Sequence, residues 1–112
     1  MPSLFSYGTL RQANVQLATF GRLVEGREDS LAGFVLAPMA ITDPHVIAAS
    51  GSAVHTIARP GGERTEAIPG IVLSLTEAEL EAADRYESGA IRRIRARLVS
   101  GAEAFVYVSD EG

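Results

Sequence analysis

Residues 75–87, LTEAELEAADRYE, contain the best-marked helix of the chain. Thr76 followed three residues later by Glu79 is a capping box, and Leu75 before it can staple onto Leu80. The pattern predicts a helix from Glu77 to about Tyr86. At ~100° per residue, Glu87 lies roughly 700° beyond Leu80, or about 20° short of two turns. If the helix reaches that far, Glu87 faces the same inward side as Leu80 and Ala83. Burial and the negative C-terminal end of a helix both disfavour an ionised carboxylate, raising its pKa toward the range of a general base near neutrality. The alternative is a helix that stops one residue earlier and leaves Glu87 as a solvated charge. Asp84, near the same face, competes for the role of base or pairs with Arg92 or Arg93.

Outward from this helix, Gly and Pro interrupt nearly every apolar segment, which favours short strands over a helical bundle. Leu4 to Tyr7 reads as a strand stopped at Gly8. Asn14 is placed to cap a helix over Val15 to Phe20, ended by Gly21. Ser30 to Ala37 reads as a strand closed by Pro38, with Gly33 marking a bulge or sharp bend. Residues 38–53 carry no readable pattern. Val54 to Ala58 and Ala67 to Leu75 suggest a hairpin across Pro60-Gly61-Gly62-Glu63, and Ile91 to Val99 and Ala104 to Val108 suggest another across Ser100-Gly101.

The strand end Ser6-Tyr7-Gly8-Thr9-Leu10 turns through Gly just before a helix. Successive backbone N–H groups in such a turn can hold a carboxylate or a developing oxyanion, and Gly8 permits a positive φ or a close ligand approach; the plain alternative is a simple turn.

Composition narrows the chemistry. With 112 residues the chain is expected to be one domain, 1–112. It has no Cys, and its ten basic residues are all Arg. Disulfides, thiolate nucleophiles, cysteine-ligated zinc, Schiff-base lysines and the P-loop lysine are therefore excluded. His45 and His55 show no metal-ligand spacing and no G-x-S-x-G elbow frames Ser6 or Ser52, so neither a metal nor a serine triad is expected. A net charge of −4 argues against nucleic acid as the main partner. Arg93, Arg95 and Arg97 alternate with Ile94, Ala96 and Leu98 and read as a solvated strand face, with a small anion patch as the sharper reading. No basic leader opens the sequence and no apolar run approaches the ~18 residues of a membrane span, so a soluble cytoplasmic protein is expected.

Two separated pieces together resemble the gamma-glutamylcyclotransferase-like superfamily, which includes the AIG2-like proteins. They are Leu4-Phe5-Ser6-Tyr7-Gly8-Thr9-Leu10-Arg11 and Pro69-Gly70-Ile71-Val72 followed by Leu80 and Ala83-Asp84-Arg85-Tyr86-Glu87, with Val106-Tyr107-Val108 matching the closing strand. The resemblance implies an α+β fold: a small mixed β-barrel with flanking helices and a cavity between the turn and the glutamate. It implies that Tyr7, Gly8, Thr9 and Leu10 bind a γ-glutamyl group, and that Glu87 is the acid/base. The implied reaction releases 5-oxoproline from a small γ-glutamyl amine or peptide by intramolecular aminolysis, with no cofactor. Many relatives carry a tyrosine shortly before an arginine after the glutamate; here Ile91 precedes Arg92. The alternatives are a non-catalytic ligand- or partner-binding domain of the same fold, and an anion or RNA binder using Arg93, Arg95 and Arg97.

Overall fold

The structure, a computed structural model, describes residues 1–61, 67–87 and 91–110. In chain order it runs β1 (Ser3–Ser6), a 3-10 turn (Thr9–Arg11), α1 (Ala13–Phe20), β2 (Gly26–Leu31) and β3 (Phe34–Ala40). Then follow α2 (Pro44–Ser50), β4 (Val54–Pro60), β5 (Ile68–Ser74), α3 (Glu77–Tyr86), β6 (Ile91–Arg97) and β7 (Glu103–Ser109).

The strands form a seven-stranded sheet in the order β2-β5-β1-β7-β4-β3, with β6 attached to β7. The sheet curls into a half-barrel with three helices, the expected α+β architecture. β7 decides the shape. Antiparallel β6 runs along it from Arg97↔Glu103 to Ile91↔Ser109 and occupies one whole edge. A strand has only two edges, so β1 and β4 must share the other. Parallel β1 pairs at Phe105 and Val106, and parallel β4 takes over at Val108. Between those two points the sheet divides.

Period-2 alternation splits the core accordingly. Phe5, Leu31, Ile57, Val72 and Val106 pack inside the curl. Leu4, Leu10, Val15, Leu73, Leu80 and Ala83 pack between the sheet's outer face and the helices. β1 and β5 therefore bury both faces, which explains their nearly continuous apolar sequences. Their close approach also requires Gly70: a Cβ there would stand 2.5 Å from the Ser6 carbonyl oxygen and 2.6 Å from the Phe5 ring.

The capping box of α3 is formed, with Thr76 Oγ1 accepting from the Glu79 N–H at 3.1 Å and Glu79 Oε1 accepting from the Thr76 N–H at 2.9 Å. Arg22 adds a fork onto the same carboxylate at 2.6 and 2.9 Å. That guanidinium, with the cap, holds the Glu79 carboxyl down at about 2. The β6–β7 hairpin also forms as expected.

Several local expectations change. α1 starts at Ala13 with Gln12 as its cap; Asn14 lies inside it, its Nδ2 donating to the Ala49 carbonyl at the end of α2. Gly21 does end α1, at φ 74°. The single strand expected over Ser30 to Ala37 is the junction of two, β2 pairing with β5 and β3 with β4. Gly33, at φ 84°, makes the corner that carries the chain from one end of the sheet to the other. Pro38 does not close a strand but sits within β3, where an edge position spares the missing N–H. β4 and β5 do not pair as a hairpin, because β1 and β7 lie between them. Gly62 and Glu63 of the expected turn fall outside the described residues. Within the unreadable stretch lies α2, capped by Asp43 with Pro44 in its first turn.

Candidate functional site

The turn after β1 is held from beneath. Leu10 is buried among the helix-side core residues, and the buried Gln16 amide spans the turn and the segment before β2. Its Nε2 donates to the Leu10 carbonyl at 2.9 Å and its Oε1 accepts from the Val24 N–H at 2.9 Å. Gly8 leads into the 3-10 turn at φ −121°, so the positive φ allowed for it is not used. A Cβ there would meet nothing within 4 Å, so the space beside this residue is open. A 3-10 turn leaves the N–H groups of its first residues without an intrahelical carbonyl, so backbone donors are available near Thr9 and Leu10.

Tyr7 has a structural task as well. Its hydroxyl donates to the Tyr107 carbonyl at 2.5 Å and accepts from the Ala58 N–H at 2.9 Å. These backbone groups belong to β7 and β4, at the place where β1 has left β7 and β4 arrives. The hydroxyl thus closes the divide in the sheet, leaving the ring to line the cavity. Burial raises the pKa of this phenol, and the Glu87 charge adds to the effect.

Glu87 stands across the same cavity. α3 ends at Tyr86, and Glu87 is its C-cap at φ −90°, ψ 44°, its N–H still closing on the Ala83 carbonyl at 2.9 Å. The helix stops where the solvated alternative required, yet Glu87 lines the cavity with Tyr7, Gly8, Thr9 and Leu10. Burial raises its carboxyl from 4.5 to about 7, and no interaction with a described cation offsets that. Three phenols surround it on the lining: Tyr7, Tyr86 and Tyr107. Burial raises the pKa of each, with Glu87 contributing in every case.

Asp84, the competing acid, is not on the cavity wall. Its Oδ1 accepts from the Tyr107 hydroxyl at 2.7 Å and lies 3.5 Å from Arg93 Nε, so the pairing alternative holds, with Arg93 as the partner. Arg93 and Arg95 lie over the Phe105 ring at 4.7 and 5.2 Å, and Arg97 meets Glu103 at 3.6 Å. None of these three arginines lines the cavity.

The cavity measures about 770 Å³. Its far wall comes from the end of β3 and the loop to α2 (residues 39–43), Val46 of α2, and Ser52 with the start of β4 (residues 54–57). His55 lies on this wall, its Nε2 2.9 Å from Ser50 Oγ, and burial lowers its pKa. Among the described residues no three His, Cys, Asp or Glu side chains cluster as metal ligands, and no helix is long and apolar enough to cross a membrane.

Sequence reasoning missed two contributors. Tyr86 binds Thr9, hydroxyl to Oγ1 at 2.5 Å, tying the residue before Glu87 to the turn. Its position beside an inward glutamate at a helix end was the available signal. His55 joins the site through long-range sheet order, for which no local signal exists.

No curated protein matches the chain in sequence. Two solved structures share its fold. An uncharacterised protein from Pyrococcus horikoshii matches with a TM-score of 0.65 at 18% identity, over 98% of this chain and 79% of that one. A protein from Arabidopsis thaliana, solved in solution, matches with a TM-score of 0.70 at 16% identity, over 98% of this chain and 62% of its own. At these identities the likeness speaks for the fold alone. In sequence, a family model described as gamma-glutamyl cyclotransferase, AIG2-like, matches residues 4–112, and the chain belongs to that family.

Proposed function

We propose that the cavity releases 5-oxoproline from a small γ-glutamyl amine or peptide, with Glu87 as general acid/base and the Tyr7–Leu10 turn holding the glutamyl group. The observation that carries this reading is a buried carboxyl on the wall of the same cavity as the turn, pushed up to about 7 by its burial with no described counter-cation to offset it. A glutamate at its ordinary pKa would be a poor base at neutral pH; one near 7 is well matched to proton transfer in both directions.

The substrate supplies its own nucleophile. Its α-ammonium first loses a proton to solvent, and the free amine attacks the γ-carbonyl carbon to form the five-membered ring. Glu87 takes a second proton from the attacking nitrogen and passes it to the leaving nitrogen as the old C–N bond breaks. Of the three ammonium protons, one stays on the lactam, one passes through Glu87 to the leaving nitrogen, and the one lost to solvent is balanced when the released amine is protonated there, with no water consumed. Backbone N–H groups of the turn stabilise the negative charge that develops on the amide oxygen. Holding an extended chain in the folded near-attack geometry supplies much of the acceleration. We place this chemistry in the cytoplasm on the strength of composition alone.

Ile91 on the cavity wall favours a second reading, a binding domain that keeps the pocket without turnover. Incubation with a panel of γ-glutamyl amines and dipeptides, followed by mass spectrometry for 5-oxoproline, separates the two. The expected result is turnover that falls at least about 100-fold in Glu87→Gln, within the contribution usual for general acid–base groups. Turnover unchanged in Glu87→Gln rules out the proposed role of Glu87. Absence of product across the panel favours the binding reading.

A further inference from the structure

Three phenols share the cavity lining with Glu87, and the hydroxyl of each is engaged elsewhere. Tyr7 donates to the Tyr107 carbonyl and accepts from the Ala58 N–H. Tyr86 meets Thr9 Oγ1 and the Ser50 side chain. Tyr107 donates to Asp84 Oδ1 at 2.7 Å. A phenol is a ready donor for a carboxylate, so its turning away from one needs a cause. For Tyr7 the cause is the divided sheet, and for Tyr86 it is the turn after β1. For Tyr107 it is a second carboxylate.

Asp84 and Glu87 stand three residues apart at the end of α3, and the Glu87 N–H still closes on the Ala83 carbonyl, so the helical register holds to that point. Residues so spaced on a helix are neighbours, with Cβ atoms ~5–6 Å apart. Tyr107 comes to them from β7, its ring buried with Leu80 and Ala83 of α3. Its hydroxyl therefore has two carboxyl groups to choose from, one turn apart, and the Glu87 charge acts on the phenol even though Asp84 holds it. Arg93 separates the two choices. Its Nε lies 3.5 Å from Asp84 Oδ1, and its guanidinium is braced over the Phe105 ring at 4.7 Å, which gives Asp84 a cation that Glu87 lacks. The other titratable groups of the lining are Arg11, Asp43 and His55. None of them acts on the Glu87 carboxyl, which responds to its burial alone.

We infer that Asp84 is a positioning residue: it holds the Tyr107 hydroxyl away from Glu87, which leaves the cavity carboxyl without a phenol donor and free to take a proton. The inference rests on the acid/base reading of Glu87 above and explains how that role is protected. A donor to the ionised form would favour that form and weaken Glu87 as a base.

The experiment is a pH titration of the Glu87 carboxyl carbon by NMR, in protein labelled at the glutamate carboxyl carbons and without substrate. The Glu87 signal is the one missing from Glu87→Gln. The native midpoint is expected at about 7, and a midpoint near the ordinary 4.5 overturns the inference. Asp84→Ala releases the hydroxyl and should lower the midpoint by at least about one pH unit, the effect of one donor added to the charged form. Adding Tyr107→Phe to Asp84→Ala removes that donor and should return the midpoint to its native place. A midpoint that stays low in the double variant assigns the effect to the lost Asp84 charge and overturns the inference, as does an Asp84→Ala midpoint that does not move. Where Asp84→Ala does not fold, Tyr107→Phe alone decides. It should leave the midpoint unchanged, whereas a rise would show that the hydroxyl donates to Glu87 in the native protein. For 5-oxoproline release, the acid limb of kcat should move down with the titration in Asp84→Ala. If no γ-glutamyl compound is turned over, the proposed reaction fails, while the titration still decides what Asp84 does.

Discussion

Glu87 carries an energetic consequence that can be read without any substrate. Its carboxyl sits near pKa 7 in the folded protein and near 4.5 when exposed, so the folded state holds that proton more tightly. The resulting stability is fully present below about pH 4.5 and is lost as pH rises through about 7. Above that, an ionised carboxylate remains in a site that disfavours it, at a cost on the order of 1–3 kcal/mol. Glu87→Gln removes the ionisation and keeps the shape. Urea unfolding at pH 8 should therefore find the variant more stable by about 1–3 kcal/mol, with the difference vanishing near pH 4. An equal difference at both pH values would mean that the carboxyl is not desolvated. The residue that the proposed chemistry would use is thus one that the fold would be more stable without, a conflict of the kind found at functional positions.

At the scale of elements, α3 shows why some of the fold was legible in the sequence and some was not. Its start was readable because a capping box and a staple are local signals, complete within the six residues from Leu75 to Leu80. Thr76→Ala removes the side-chain acceptor for the Glu79 N–H and should cost about 1–2 kcal/mol, seen by calorimetry as a fall in Tm of several degrees. Glu87 lies at the opposite end of the helix, held by Ala83 and by the Tyr86 link to Thr9, so any turnover per folded molecule should survive this change. A variant that keeps its Tm but loses turnover would place the cap in the site instead. Glu87 was legible for the same reason as the cap, since helical periodicity points it inward, although it reaches the cavity from a cap position just past the last helical residue. Sheet order was not legible. Val54 to Ala58 and Ala67 to Leu75 carry the composition of a hairpin, but pairing between neighbours in sequence lost to insertion of β1 and β7, which the residues between them do not encode. α2 was not read from the sequence: its cap Asp43 followed by Pro44 is a start signal, but seven residues are too few for periodicity to support it. Asn14 misled because the residue type suits a cap while its side chain is used to join α1 to α2.

At the scale of the molecule, the site and the division of the sheet meet at the same place. A sheet whose strands stayed paired along their full length would have no room for a ligand at this end. Here β1 leaves β7 after Phe5↔Val106 and β4 joins only at Ala58↔Val108, so the turn after β1 is free to line the cavity. The division opens a gap between a β7 carbonyl and a β4 N–H on buried residues, and Tyr7 satisfies both with one hydroxyl. Tyr7→Phe keeps the ring and removes both bonds. Leaving two buried backbone groups unpartnered at ~1–3 kcal/mol each, less what relaxation recovers, should lower stability by about 2–4 kcal/mol in urea titration. The loss should be local in hydrogen exchange: the Ala58 amide, on a fully buried residue, should lose protection beyond the global change, while the amides of the β6–β7 hairpin should follow the global change alone. Unchanged stability together with unchanged protection at Ala58 would mean that the hydroxyl does not bridge the two strands. In the expected case the turn loses its tether to β7 and β4, and the separation between the Gly8–Leu10 donors and Glu87 is no longer fixed at its β1 end. Under the proposed reaction, turnover should then fall through kcat as well as KM, because intramolecular attack depends on geometry held to a fraction of an ångström and not on binding alone.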